Sequence, residues 1–160
     1  YRLAPANDTN QLVVPVAMTV TNGGRVFFYS GTDMVSRAVV RCGGDFNLQG
    51  NVTITSAATN HTVPPDYGAL IEIGGDLNVA TNSWIYPVSH AANGGSPLFR
   101  MRNLTIATNA GFNANGAGYG GYWTFYAGLG VGPGAGYGGN YGTGGAGYGG
   151  AGGSDGVWTI

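Results

Sequence analysis

An internal repeat of 27 to 31 residues constrains the fold of this chain more than any other feature of its sequence. Residues 39–48 align with residues 70–79 without a gap, and a third copy, residues 98–106, is one residue shorter. A fainter first copy covers residues 12–20. Each copy alternates apolar and polar residues in short runs separated by turn residues, which is typical of strands. The repetition therefore predicts one β-rich unit used four times.

Stacking the four copies sorts their apolar residues into five columns. Strands of successive copies would then lie about 4.8 Å apart, with equivalent side chains above one another. We expect all five columns to point into the core, with Cys42 as a small core residue rather than a reactive thiol. The columns are Leu12, Val40, Ile71 and Phe99; Val14, Cys42, Ile73 and Met101; Met18, Phe46, Leu77 and Leu104; Val20, Leu48, Val79 and Ile106; and Val26, Ile54, Ile85 and Phe112.

One outward column lies between the inward ones and carries charge. It consists of Val13, Arg41, Glu72 and Arg100. If the alignment of the copies is right, Glu72 lies between two arginines on neighbouring strands. Such cross-strand pairs stabilise a sheet modestly.

The fold class predicted from these columns is all-β: a short right-handed parallel β-helix, or β-solenoid, of about four coils. An antiparallel β-sandwich is the alternative, because it also consists of short alternating strands. The predicted organisation is an N-terminal arm (1–10), the solenoid (11–115), a Gly/Tyr-rich segment (116–154) and a terminal strand (155–160). The Gly-Gly pairs 43–44 and 74–75 are expected to form sharp corners through positive φ angles.

The Gly/Tyr-rich segment changes the composition abruptly. Of the 38 residues from 116 to 153, 19 are Gly. A flexible linker is one interpretation, since Gly-rich segments are normally coil. The aromatic residues favour an ordered loop that packs on the solenoid or on a neighbouring subunit, because they would otherwise form an exposed apolar patch. Those aromatic residues are Tyr122, Trp123, Phe125 and Tyr126.

Composition excludes several classes of protein. Charged residues make up 8% of the chain, all six cations are Arg, and the net charge is −1, so the clustered cations that bind nucleic acid are missing. No apolar run approaches the ~20 residues of a membrane span. Scarcity of Lys and Glu argues against a helical bundle. The Gly-rich patterns lack the strand and helix of a phosphate-binding loop, and we predict no cofactor.

Two groups of residues are candidates for chemistry. Asp45 and Asp76 occupy equivalent corners on adjacent coils, which is how β-helical polysaccharide lyases collect carboxylates for calcium, but turn chemistry explains them better and the third copy has Asn103 there. The arginines available as a base are Arg37, Arg41, Arg100 and Arg102. His61 and His90, with Asp66, fall in equivalent corners but are more typical of solvated loops than of a metal site. We therefore predict no catalytic residue and no metal ligand.

Four Asn-x-Ser/Thr sequons are candidate glycosylation sites, where about two would be expected by chance. They are Asn7, Asn51, Asn60 and Asn103. This excess favours a secreted chain.

Two stretches of the chain resemble a group of known proteins. Residues 73–79 read Ile-Gly-Gly-Asp-Leu-Asn-Val, and residues 112–121 lead from Phe-Asn-Ala-Asn-Gly into Ala-Gly-Tyr-Gly-Gly. They are similar to secreted bacterial surface proteins in which parallel β-helix coils alternate with Gly/Tyr-rich insertions. The resemblance implies a structural or adhesive role at the cell surface, and it supplies no catalytic residue to match.

These observations predict an extracellular structural protein that assembles head to tail with copies of itself into a filament or surface layer. The contact is expected at the solenoid ends and at the apolar terminal strand, with Trp158 buried. The assembly residues predicted in that strand are Val157, Trp158, Thr159 and Ile160. A carbohydrate-binding or adhesive module that uses exposed aromatic residues is the alternative, with polysaccharide as partner. A polysaccharide lyase ranks third.

Overall fold

The computed structural model of the protein describes residues 11–29, 38–56, 67–91 and 94–118. Within these ranges the chain is all-β, with ten strands and no helix. The strands all belong to one compact unit. The predicted N-terminal arm, residues 119–154 of the Gly/Tyr-rich segment and the predicted terminal strand lie outside the described residues.

Each copy of the repeat contributes one strand to a first sheet and then one or two strands to a second sheet. We call these units rungs 1 to 4. Rung 1 is β1 (Gln11–Val14) and β2 (Met18–Tyr29); rung 2 is β3 (Ala38–Cys42) and β4 (Phe46–Thr55); rung 3 is β5 (Ala69–Ile73), β6 (Leu77–Val79) and β7 (Trp84–Val88); rung 4 is β8 (Pro97–Arg100), β9 (Leu104–Ile106) and β10 (Gly111–Phe112).

All strand pairs in the described ranges are parallel. The first sheet has the order β1-β3-β5-β8. In the second sheet β4 pairs with β2 on one side and with β6 and β7 on the other, and β9 and β10 follow. Parallel strands need a crossover between them, and here each crossover passes through the other sheet. The antiparallel pairing expected for a β-sandwich is therefore wrong.

The predicted columns agree with the register except at one position. Val40 pairs with Leu12 and Ile71, and Leu77 pairs with Phe46 and Leu104. Ile54, however, pairs with Phe28 and Pro87, and its predicted place beside Val26 and Ile85 is taken by Val52. Rung 2 is shorter at this corner: β4 continues straight through Gln49 and Gly50, whereas rung 3 inserts a turn between β6 and β7.

Burial is greatest in the two middle rungs. Phe46, Leu48, Leu77 and Val79 have almost no exposed surface. Leu104 and Ile106, predicted to be core residues, are 46% and 43% exposed instead. Rungs 2 and 3 are covered on both sides, whereas β9 has only β6 as a neighbour among the described strands.

The Gly-Gly corners are close-packed rather than left-handed. None of the four glycines has a positive φ, so the expected reason for their presence is wrong. A Cβ on Gly43 would collide with the carbonyl oxygen of Pro15, and one on Gly74 would lie 2.6 Å from the carbonyl oxygen of Gly43. Glycine is required here because successive corners approach backbone to backbone.

Candidate functional site

The corner between the two sheets carries the carboxylates predicted from the sequence. The Oδ1 atom of Asp45 accepts a hydrogen bond from the backbone N–H of Asp76 at 2.8 Å. The Oδ1 atom of Asp76 in turn accepts hydrogen bonds from Arg102 Nε and Asn103 Nδ2, each at 2.9 Å. Each corner is thus joined to the next by a side chain as well as by the backbone, where Phe46 N–H donates to Asp76 O.

These hydrogen bonds favour the ionised form of the Asp76 carboxylate. Bonding to Arg102 and to Asn103 holds the pKa of Asp76 below its ordinary value, because both donors favour the ionised carboxylate. The same contact raises the pKa of Arg102. Among the described residues, no group of three or more His, Cys, Asp or Glu side chains is placed to hold a metal ion. The contacts that the corner makes are those that join one rung to the next.

The outward charged column is confirmed. Glu72 pairs with Arg41 on one side and Arg100 on the other. The distance from Arg41 Nε to Glu72 Oε2 is 2.8 Å, and that from Arg100 Nη1 to Glu72 Oε1 is 3.9 Å. All three side chains are partly exposed. The column follows the backbone register of three rungs on the first sheet and adds modestly to their stability.

Asparagine side chains form two further links between rungs. Asn78 Nδ2 donates to Asn47 Oδ1 at 2.9 Å, and Asn109 Nδ2 donates to Asn82 Oδ1 at 2.6 Å. Asn82 and Asn109 both adopt the left-handed conformation, which asparagine tolerates better than most residues. Stacked amides of this kind stabilise parallel in-register strands.

The surface at the rung 4 end is the candidate assembly site. Leu104 and Ile106 continue the columns of Leu77 and Val79 but are about half exposed. The other side of β9 has no strand partner in the described ranges. The rung 1 end offers the same columns through Met18 on β2, which is half-buried. The two ends therefore share the spacing of their apolar side chains but differ in exposure, since Val20, the rung 1 counterpart of Ile106, is buried.

Sequence reasoning placed Leu104 and Ile106 in the core and missed them as surface residues. A usable signal was present, because the sequence shows no fifth copy of the repeat after the one at residues 98–106. Without a fifth copy, no further rung of this repeat is available to cover the side chains of rung 4.

Other predicted site residues fall in different places. Asn51 is half-buried on β4, and Asn103 is exposed at the corner. Cys42 is buried, and its Sγ atom lies 3.2 Å from the carbonyl oxygen of Val16, which confirms it as a core residue. The backbone N–H of His90 donates a hydrogen bond to the carbonyl oxygen of Gly95. The remainder lie outside the described residues: Tyr122, Trp123, Phe125, Tyr126, Val157, Trp158, Thr159, Ile160, Asn7, Asn60, Arg37, His61 and Asp66.

Comparison of the chain with protein-family models, with curated proteins and with solved structures yields no match. Across the described ranges, the structure contains no helix long and apolar enough to cross a membrane.

Proposed function

We propose that residues 11–115 form a short right-handed β-solenoid of about four coils, and that the protein is an extracellular structural protein that assembles head to tail. The in-register columns support the solenoid, because each rung repeats the pairing of the previous one. A location outside the cell is supported by the four sequons and by the resemblance to secreted surface proteins.

The observation that carries the proposal is the exposure of Leu104 and Ile106 on the outermost described strand of the second sheet. The β2 strand of a second copy would pair with β9 as β9 pairs with β6. Met18 would then lie over Leu104, and the backbone groups of both strands would exchange water for each other.

Charge at the contact is compatible with this arrangement. Arg100 ends the outward column at rung 4, and the residue that would follow it in the next copy is Val13. No like charges meet in that column. Because the two ends are different surfaces, the contact does not close by itself and continues into a filament or surface layer. Residues 157–160 are proposed as a second contact.

A structural role also accounts for the carboxylates better than catalysis does. Asp45 and Asp76 both use Oδ1 to join neighbouring corners. A general acid or base needs a pKa near the working pH, whereas the pKa of Asp76 is lowered.

Substitution on β9 tests the proposal. Ile106→Lys places a charge on the column that would be covered in an assembly, whereas Thr105→Lys places the same charge on the neighbouring residue of the same strand, on its opposite face. We expect wild type and Thr105→Lys to form filaments in electron micrographs and large species in light scattering, and Ile106→Lys to stay monomeric with an unchanged circular dichroism spectrum. A wild-type protein that remains monomeric at high concentration, or equal assembly of both variants, contradicts the proposal.

A further inference from the structure

We propose that the outer face of the second sheet binds an acidic polysaccharide, through a trough lined by Arg25, Phe27, Asn51, Thr53 and Tyr86. The trough has a volume of about 270 Å³. It faces away from the core, on the side of the rungs rather than at their ends. The inference therefore does not depend on the proposed assembly.

The register explains how the trough forms. Phe27 pairs with Thr53 on one side, and Thr53 pairs with Tyr86 on the other. Two aromatic side chains thus stand two strands apart, roughly 10 Å, with a small hydroxyl residue between them. The volume is near the lower end for small-molecule sites, which suits a sugar unit of a polymer that continues along the open face.

Two aromatic residues of this face, Phe27 and Tyr29, are exposed and stack on each other. Phe27 and Tyr29 are 37% and 38% exposed, and their rings stack with centroids 6.1 Å apart and planes 10° from parallel. The faces of sugar rings carry C–H groups, which pack on aromatic rings while the hydroxyl groups at the edge of the sugar remain free to hydrogen bond.

Within the described ranges, one polar atom of the residues lining the trough lacks a hydrogen-bond partner and one cation lacks an ion-pair partner. The atom is the buried Oδ1 of Asn51, and a buried acceptor without a partner is costly. A sugar hydroxyl both donates and accepts, so it could pair with either end of this amide after a small rotation of the side chain. Arg25, which pairs with Asn51 in the register, forms no ion pair with any described residue.

The guanidinium of Arg25 selects the charge of the ligand. Guanidinium binds carboxylate through charge-assisted, often bidentate hydrogen bonds. A uronic acid unit supplies that carboxylate together with the ring and hydroxyl groups that the rest of the trough fits. A nucleic acid fits less well, because Arg25 is the one cation among the described residues that line the trough and phosphate backbones are bound by several.

Binding of polygalacturonate oligosaccharides to the full chain, measured by calorimetry, tests the inference. Fully methyl-esterified oligosaccharides are the matched ligand, because esterification removes the negative charge and leaves the sugar ring and its hydroxyl groups unchanged. Arg25→Gln is the test variant, and Arg100→Gln is its control, since it removes the same charge from the first sheet. Protein from a host without N-glycosylation keeps Asn51, which is part of a sequon, unmodified.

We expect the wild type to bind the acidic oligosaccharide, with affinity reduced roughly 10-fold or more by Arg25→Gln and by less than about 2-fold by Arg100→Gln. Tyr86→Val, which retains a strand-forming residue, should also weaken binding. No binding by the wild type, equal losses in both arginine variants or equal affinity for the esterified ligand overturns the inference. So does single-stranded RNA that binds more tightly with the same dependence on Arg25.

Discussion

Leu77 and Leu104 occupy equivalent positions in adjacent rungs, so truncating each to alanine compares a place inside the stack with a place at its end. Leu77 has 0% of its surface exposed and Leu104 has 46%. A fully buried Leu→Ala substitution costs about 2.7–5 kcal/mol of unfolding free energy, because it removes apolar contact and leaves a cavity. At Leu104 about half of the contact is already absent and the space opens to water, so the expected cost is about 1 kcal/mol.

Urea unfolding followed by circular dichroism measures both costs, at a protein concentration where the chain is monomeric. We expect Leu77→Ala to lower the free energy of unfolding by at least about 1.5 kcal/mol more than Leu104→Ala does, with the same dependence on urea. Equal losses, or a larger loss for Leu104→Ala, would show that the two residues are equally buried and would refute the placement of rung 4 at an exposed end.

Three further predictions concern the corners and the core. Gly75→Ala should lower the free energy of unfolding by more than about 2 kcal/mol in urea titration, because its Cβ would collide with Asp45, whereas Gly118→Ala, where the Cβ meets open space, should cost less than about 0.5 kcal/mol. The pKa of Asp76 in the folded protein is lower than its ordinary value of 3.8. The ionised carboxylate therefore stabilises the fold fully above that ordinary pKa, and the stabilisation is lost as the pH falls through the lowered pKa. The melting temperatures of wild type and Asp76→Asn should thus move apart as the pH rises across that window and differ by a constant amount between pH 5 and 7. Cys42 should react with a thiol reagent only after unfolding, and rapid reaction of the native protein would contradict its burial.

The hydrophobic columns could be predicted from the sequence because each is repeated at a nearly constant spacing. The error at Ile54 shows the limit of that reasoning. Val52 and Ile54 are both apolar and lie on the same face of β4, so a shift of two residues leaves the apolar pattern unchanged. Only the length of the corner, where Gln49 and Gly50 continue the strand, decides which of them meets Ile85.

Contacts between rungs at the corners and at the end of the stack were harder to predict than the rungs themselves. The sequence suggests that glycine is needed at positions 43 and 74 for a positive φ angle. In the structure glycine is needed there because the backbone of the neighbouring corner leaves no room for a Cβ, and a single copy of the repeat does not reveal that neighbour. The exposure of Leu104 likewise depends on what lies beyond its rung. The trough on the second sheet could be predicted in part from the sequence, because the alternation of β2 places Phe27 and Tyr29 on the face opposite the buried Phe28.

Electron cryomicroscopy of the assembled protein tests the central claim most directly, namely that the rungs continue in register from one copy to the next. Four rungs at about 4.8 Å give an axial rise of about 19 Å per subunit, with the strand spacing unbroken across each subunit boundary. That rise, with Met18 of one copy over Leu104 of the next, is the predicted result. A sample without filaments, or filaments in which the rung ends of neighbouring copies do not touch, would contradict the account.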